Sequence, residues 1–355
     1  MKRFTCLPLL ATFIFGCSDS NGTSAKTTQP QTDAQFQEAV VTGMHDSLLA
    51  QIKTLHAAAI DLANAAPSAA RGWDATMDAG AIQAMEAAWK QARSAYEQIE
   101  GATAPLFPDV DTEIDARYDD FLTTLGAAGD QDLFDDQGVT GMHAIERILY
   151  QPETPQSVIT FESSLPGYKA AAWPATADET SEFKNKLCAR LVTDTQTFMD
   201  EWQPQAIDVG GSFQGLVSLM NEQREKVIKA ASFEEESRYS QRTMADIRDN
   251  LTGTKSVYAL FQPWLATKAG GSSLDDSVEG GFATLATDYG TVTGDAIPEP
   301  PSTWSAESPS AADLDTPFGK LYTAVNQAVD PTISGSVVDS MNKVAVKLGF
   351  PQFTE

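Results

Sequence analysis

The sequence predicts an all-α protein, and two observations support this fold class. Apolar residues recur at spacings of three and four along most of the 355-residue chain, whereas alternating runs of β-branched residues are scarce. A hydrophobic content of 42% against 21% charged residues is typical of a globular chain that buries a core. We therefore expect helices near residues 34–65, 79–102, 138–150, 179–203, 212–231, 242–265, 274–290, 316–329 and 333–348.

The helices are expected to form two domains. A turn at residues 203–211 divides the chain into halves of a size that suits four-helix bundles. The first domain would cover residues 34–205 and the second residues 206–355. Long loops are expected where the periodic pattern is interrupted, at residues 109–136, 151–177 and 296–309.

The second predicted helix carries a narrow apolar stripe that should pack against other helices. Its members fall within about 80° of one another on a helical wheel, and they are Met85, Trp89, Ala92, Tyr96 and Ile99. Arg93 and Glu97 have the spacing of an i, i+4 ion pair. Glu100 ends the helix at the margin of the stripe.

The first 17 residues resemble a lipoprotein signal peptide. A basic start at residues 1–3 precedes an apolar run at residues 4–15 that is too short to span a bilayer, and Gly16 and Cys17 follow it. Cys17 is the expected site of the lipid, and the polar residues 18–33 would form a flexible tether. We expect a lipid-anchored protein that faces the periplasm, with the outer membrane favoured. An ordinary secretory signal is the alternative.

The balance of charge is strongly acidic. The chain has 24 Lys and Arg against 49 Asp and Glu, a formal net charge of −25. Such a surface does not attract phosphate backbones, so nucleic acid is excluded as the default partner. The same surface could concentrate cations, or it could be a solubility or salt-adaptation trait.

A His-x-x-Glu pair is a possible metal-binding element. The chain has three histidines, His45, His56 and His143, and His143 stands one helical turn before Glu146, so both side chains can reach the same ion. Both lie at the rim of the apolar stripe of the helix predicted at 138–150. Because His143 falls in the first turn, the helix dipole would favour the neutral imidazole that a metal needs. A hydrogen-bonded surface couple is the plain alternative.

The stretch 109–136 is a second concentration of candidate ligands. It holds ten Asp and Glu residues and a single base, Arg117. Such a density repels itself unless water, cations or partners compensate it. A solvated acidic loop is the plain interpretation.

Four blocks of residues resemble, in order and spacing, the imelysin family, including the EfeO-type proteins of iron uptake. The resemblance extends across nearly the whole chain after the signal peptide. The Gly-x-His-x-x-Glu element is the family's signature. The blocks are residues 89–93 with Tyr96 and Glu100, Asp111 with residues 114–120, residues 140–146, and Tyr239 and Ser240 followed by Asp246, Asn250 and Gly253.

The resemblance implies two four-helix-bundle-like domains with the signature near the cleft where they meet. It also implies binding of iron or another metal outside the cytoplasm, with His143, Glu146, Glu100 and Asp115 as the ligand set. One imidazole with three carboxylates suits iron, manganese or zinc, and the resemblance favours iron. Gln241 and its neighbour Arg242 interrupt the family pattern of the fourth block, so no ligand is carried over from it.

The leading functional hypothesis is a protein that captures iron, or an iron complex, for an inner- or outer-membrane iron transporter. A zinc-dependent metallopeptidase is the first alternative, although Arg147 stands where the His-x-x-Glu-His motif of zinc peptidases has its second histidine. The second alternative is a haem-binding or partner-docking module, in which His143 would be the axial ligand.

Overall fold

Helices and their connecting segments make up the described part of the computed structural model, which covers residues 31–67 and 70–354. Those residues contain no β-strand, so the predicted all-α class is confirmed. The predicted signal peptide with Cys17, and the tether as far as residue 30, lie outside the described residues. Among the described helices, none combines the length and apolar character required to cross a bilayer.

Nine α-helices lie in the described residues of the first part of the chain, 31–67 and 70–205. A π-helical turn, Phe183–Cys188, joins the last two of them into one run. The nine are α1 (Asp33–Ala65), α2 (Ala79–Glu97), α3 (Glu100–Thr103), α4 (Pro108–Asp115), α5 (Tyr118–Leu125), α6 (Gly141–Leu149), α7 (Gln156–Glu162), α8 (Ala177–Glu182) and α9 (Ala189–Trp202).

Seven α-helices lie in the second part of the chain as far as residue 354, where the described residues end. Polar caps begin several of them: the Asp208 carboxylate accepts hydrogen bonds from the first backbone amides of α10, and Ser336 caps the last helix in the same way. The seven are α10 (Val209–Ala230), α11 (Thr243–Tyr258), α12 (Gln262–Leu265), α13 (Gly271–Gly290), α14 (Ala311–Leu314), α15 (Pro317–Val329) and α16 (Val337–Leu348).

The helices pack in two connected groups. In the first part, α1 lies along α2 and α9; in the second, α10 contacts α11, α15 and α16, and α13 contacts α15 and α16. Contacts of α2 with α11 and of α3 with α10 join the groups. The described residues from Asp33 onward form one compact unit, and the division into domains at residues 205 and 206 stays a prediction. The apolar stripe predicted on α2 is buried throughout.

A close crossing of α2 and α11 depends on Gly253. A β-carbon built at this position would lie 2.0 Å from the carbonyl oxygen of Gln98, far inside van der Waals contact. Glycine therefore allows α11 to approach the end of α2. The approach brings Asn250 of α11 within hydrogen-bond distance of Glu97.

Two of the predicted loops contain helices, which corrects the sequence-based interpretation. The acidic stretch 109–136 forms α4 and α5, and the stretch 151–177 includes α7. Acidic residues lie in the first turns of α4 and α5, where the helix dipole stabilises negative charge, and the carboxylate of Asp120 accepts a hydrogen bond from the backbone N–H of Arg117 at the start of α5. The helix predicted at 242–265 is interrupted after Tyr258 and resumes as the short α12.

Candidate metal centre

Gly141 allows the start of α6 to pack closely against the end of α4. Gly141 has φ of +81°, a conformation that other residues rarely adopt, and a β-carbon there would lie 2.7 Å from the carbonyl oxygens of Glu113 and Ile114. The positive φ and the close contact together explain why the Gly-x-His-x-x-Glu element begins with glycine. It brings His143, two residues later, beside Asp115 at the end of α4.

The imidazole of His143 lies between two carboxylates. Its Nδ1 is 2.7 Å from Oε2 of Glu146, and its Nε2 is 3.5 Å from Oδ1 of Asp115. The residue is fully buried, and Nε2 has no hydrogen-bond partner. Metal bonds of about 2.0–2.2 Å hold neighbouring ligand atoms roughly 3.0–3.5 Å apart. The Nε2 to Oδ1 separation is therefore suited to an ion between these two atoms.

Glu146 uses both of its oxygens within the protein. Oε2 bonds to His143, and Oε1 accepts a hydrogen bond of 2.9 Å from the backbone N–H of Ser240. A carboxylate on the far nitrogen of a histidine fixes the ring and its tautomer, as in many metal sites. The rim position expected for this pair is wrong, because both residues are fully buried.

A third ligand candidate, Glu236, was missed by the sequence analysis. Ligand atoms of Asp115, His143 and Glu236 all lie within 4.8 Å of one another. Glu236 belongs to the connector between α10 and α11, residues 231–242. The available signal was a run of three glutamates, 234–236, directly before Tyr239 and Ser240 of the fourth block.

Arg93 is the central cation of the cluster. The predicted ion pair with Glu97 is present, but the same guanidinium also contacts Asp115, lies 2.9 Å from Glu236 and places Nε 3.5 Å from Asp246. Its side chain is fully buried. Arginine keeps its charge in such a site, so Arg93 provides a permanent internal countercharge.

Glu100 lies with Lys226 rather than with His143. Its Oε2 accepts a 3.0 Å hydrogen bond from Asn250 and is 3.7 Å from Nζ of Lys226. Burial raises the pKa of Glu100 to about 8 despite the nearby ammonium group. Of the four residues implied by the resemblance, the structure thus brings His143 and Asp115 together, places Glu146 on the other ring nitrogen, and leaves Glu100 outside this group of ligand atoms.

Charge around His143 differs from the expectation based on the helix dipole. Burial and Arg93 oppose the charged imidazole, yet Asp115 and Glu146 raise the pKa of His143 to about 9. The expected neutral imidazole is therefore wrong for the metal-free protein. Two adjacent carboxylates outweigh the small effect of the helix terminus, and a metal ion would have to displace a proton from Nε2.

An open cavity of about 350 Å³ leads to the centre. Asp115 and Glu236 form part of its wall, so two of the three ligand candidates face it. Nine of the eleven lining residues are charged, and they include six acids from α4, α5, α10 and the α10–α11 connector. The lining residues are Asp111, Thr112, Asp115, Ala116, Arg117, Asp120, Glu222, Glu225, Lys226, Lys229 and Glu236.

The other two histidines have unrelated environments on α1. The ring of His45 stacks near Trp202, with centroids 5.3 Å apart, and Nδ1 of His56 lies 3.0 Å from the hydroxyl oxygen of Thr195. The candidate centre therefore has one imidazole.

Comparisons with known proteins agree with this fold and this set of motifs. The family model described as Imelysin, of peptidase family M75, matches residues 25–317. The chain is 26% identical over 187 residues to the iron uptake system component EfeO of Escherichia coli O1:K1 / APEC, and 25% identical over the same length to EfeO of Shigella flexneri. Each match covers 53% of this chain and only 39% of the relative.

A solved structure has the same overall fold. It is an imelysin-like protein from Psychrobacter arcticum 273-4, with a TM-score of 0.54 and 12% sequence identity, and the superposition covers 92% of this chain and 99% of that one. The family model covers well over half of the present sequence. The chain therefore belongs to the imelysin family.

Proposed function

We propose that this protein binds an iron ion as cargo through His143, Asp115 and Glu236 and serves an iron-uptake system. The observation that carries the proposal is the buried Nε2 of His143, which has no hydrogen-bond partner and faces two carboxylates. Nε2 lies 3.5 Å from Oδ1 of Asp115, and an ion that displaced the proton of Nε2 could bind both atoms at ordinary metal–ligand distances.

The charge of the centre supports a cation. Carboxyl groups outnumber the permanent cations in this largely buried region. Burial raises the pKa of Glu97 well above its usual value, but a metal ion would offset the repulsion among the other acids in a medium of low dielectric. Although burial opposes ionisation, Lys226 and Arg93 hold the pKa of Glu236 well below its usual value, so this ligand is available as an anion. The carboxyl groups are those of Glu97, Asp115, Glu146, Glu236 and Asp246, and the cations are Arg93 and Lys226.

The number of ligands suits a cargo that enters and leaves. Three protein atoms would leave coordination positions directed to the 350 Å³ cavity, where water can complete the shell. One imidazole nitrogen with two carboxylate oxygens suits iron, manganese or zinc. In this proposal Glu146 orients His143, and Glu100 is a more distant neutral acid.

The choice of iron, and of the compartment, rests on the relatives and the N-terminal sequence. The proteins named iron uptake system component EfeO favour iron as the cargo. The signal-like residues 1–17 favour export and a lipid on Cys17, which would keep the protein at the periplasmic face of a membrane, the outer membrane being favoured. The partner that receives the ion would then be a membrane iron transporter.

The peptidase alternative has one observation in its favour, because three ligands and an open position also describe catalytic zinc. It lacks a free general base in the signature, since both oxygens of Glu146 are engaged. The haem alternative requires an accessible axial ligand, whereas His143 is fully buried and the adjoining cavity is lined mainly by charged groups.

Titration calorimetry with anaerobic Fe²⁺, and with Mn²⁺ and Zn²⁺ for comparison, tests the proposal. We expect one site of micromolar affinity or tighter, and at least a tenfold weaker site in His143→Ala, Asp115→Asn and Glu236→Gln. The matched control is Glu225→Gln, which removes an acid from the same cavity but outside the ligand group. Absence of binding, or equal loss in the control, would contradict it.

A peptidase assay distinguishes the main alternative. Zinc-dependent cleavage of casein by the native protein, abolished by His143→Ala, would favour catalysis over transport. We expect no such cleavage with Fe²⁺, Mn²⁺ or Zn²⁺ bound.

A further inference from the structure

Two groups of potential ligand atoms meet at one glutamate. The first is Asp115, His143 and Glu236; the second is Glu97, Glu236 and Asp246. Within each group all the atoms are close enough to hold a single ion. A carboxylate shared in this way is the usual bridge of two-metal sites, in which the ions are roughly 3.5–4 Å apart.

The second group already holds a cation that belongs to the chain. The guanidinium of Arg93 contacts Glu97, lies 2.9 Å from Oε1 of Glu236 and places Nε 3.5 Å from Oδ2 of Asp246. These are the three acids of the second group, and Arg93 and Asp246 have no exposed side-chain surface. Arg93 also contacts Asp115 and Glu236 of the first group, but the third member of that group is the imidazole of His143, so the guanidinium contacts all three members in the second group alone.

We infer that Arg93 occupies the position of a second metal ion and thereby restricts this centre to one ion. The inference rests on the proposed function, since it concerns the same site. Arg93 is a residue that determines stoichiometry rather than a ligand.

The physical reason is the balance of buried charge. Glu97, Glu236 and Asp246 would repel one another without a cation between them, and a divalent ion could supply that cation as well as a guanidinium can. Arg93 is covalently attached to α2, however, and its charge cannot be titrated away. It therefore excludes a second ion at every metal concentration, while it also holds Glu236 in place for the first ion.

Metal stoichiometry tests the inference, with Mn²⁺ as a probe that does not oxidise readily. We expect one Mn²⁺ per chain in the native protein and two in Arg93→Ala, measured by equilibrium dialysis and elemental analysis. Arg93→Lys is the matched control, because it keeps one positive charge on the same helix, and it should bind one ion. Electron paramagnetic resonance should detect an exchange-coupled Mn²⁺ pair in Arg93→Ala alone.

The outcomes separate this inference from the proposed function. No ion in the native protein contradicts the function itself; one ion in both the native protein and Arg93→Ala leaves the function standing and overturns the role of Arg93. Two ions in the native protein also overturn it.

Folding of the variant provides a further check. We expect Arg93→Ala to be less stable than the native protein without metal and to be restored by Mn²⁺ more than the native protein is. If Arg93→Ala does not fold in either condition, Glu97→Gln and Asp246→Asn test the same idea in a protein that keeps Arg93. Each should still bind one ion, and loss of that ion in both would overturn the inference.

Discussion

Gly141 offers a direct test of how the fold builds the metal centre. In Gly141→Ala the new methyl group would meet the carbonyl oxygens of Glu113 and Ile114 at 2.7 Å, and the backbone would keep a φ of +81°. Positive φ costs a non-glycine residue about 1–2 kcal/mol, and overpacking adds about 1–3 kcal/mol. We expect the free energy of unfolding to fall by about 2–5 kcal/mol.

Gly294 is a matched control for this substitution. It has nearly the same φ, +84°, and no atom lies within 4 Å of a β-carbon built there. Gly294→Ala should therefore show the backbone strain alone, about 1–2 kcal/mol. The excess loss in Gly141→Ala measures the contact between α6 and α4.

Urea unfolding and metal titration provide the two measurements. Relief of the contact must move α6 away from α4, which separates His143 from Asp115, so we expect metal affinity to fall at least tenfold in Gly141→Ala and to be unchanged in Gly294→Ala. Equal stability losses in the two variants, with equal metal affinity, would refute the reasoning.

Three other predictions concern side chains around the centre. Glu146→Gln should weaken metal binding by about 10–100-fold, the usual effect of a residue that orients a metal-binding histidine, whereas Glu153→Gln on the exposed surface should have no effect in the same titration. Burial raises the pKa of Glu235 to about 7. Between the ordinary pKa of a glutamate and this raised value, Glu235 keeps its proton in the folded state and loses it in the unfolded state. The free energy of unfolding therefore falls as the pH rises from the lower pKa to the higher one. Glu235→Gln should therefore gain up to about 3 kcal/mol relative to the native protein between pH 4.5 and pH 8; an equal effect at both pH values in urea unfolding would contradict this assignment. Trp89→Phe removes the 2.9 Å hydrogen bond from Nε1 to the carbonyl of Met142 and should cost about 0.5–1.5 kcal/mol by thermal or urea unfolding, the net value of one hydrogen bond, because Met142 lies in α6 and its carbonyl keeps its helical partner.

Much of the fold could be predicted because helical periodicity is a local property. The stripe on α2, the long α1 and the turn between α9 and α10 all follow from residues close together in the chain. The acidic helices α4 and α5 were missed for an equally local reason. Their charge density suggested a loop, but four of their acids lie in first turns, where the helix dipole stabilises them.

The candidate site was only partly accessible from the sequence. His143 and Glu146 are one helical turn apart, and this spacing can be read directly from the sequence. The resemblance implied Asp115 and Glu100 as further ligands, and the structure places Asp115 beside His143 but Glu100 beside Lys226. Periodicity alone cannot tell which of several acids on different helices points toward one nitrogen atom.

The sequence by itself determined the helical class, the family resemblance and the imidazole at the centre of the candidate site, because these depend on residue type and short spacing. Only the tertiary structure decided that Glu236 joins Asp115 and His143, and that Arg93 contacts four acids from four different segments. The contacts of Arg93 with Glu236 and with Asp246 join residues more than 100 positions apart. They depend on how closely the helices cross, which is a property of packed surfaces and of glycines such as Gly141 and Gly253.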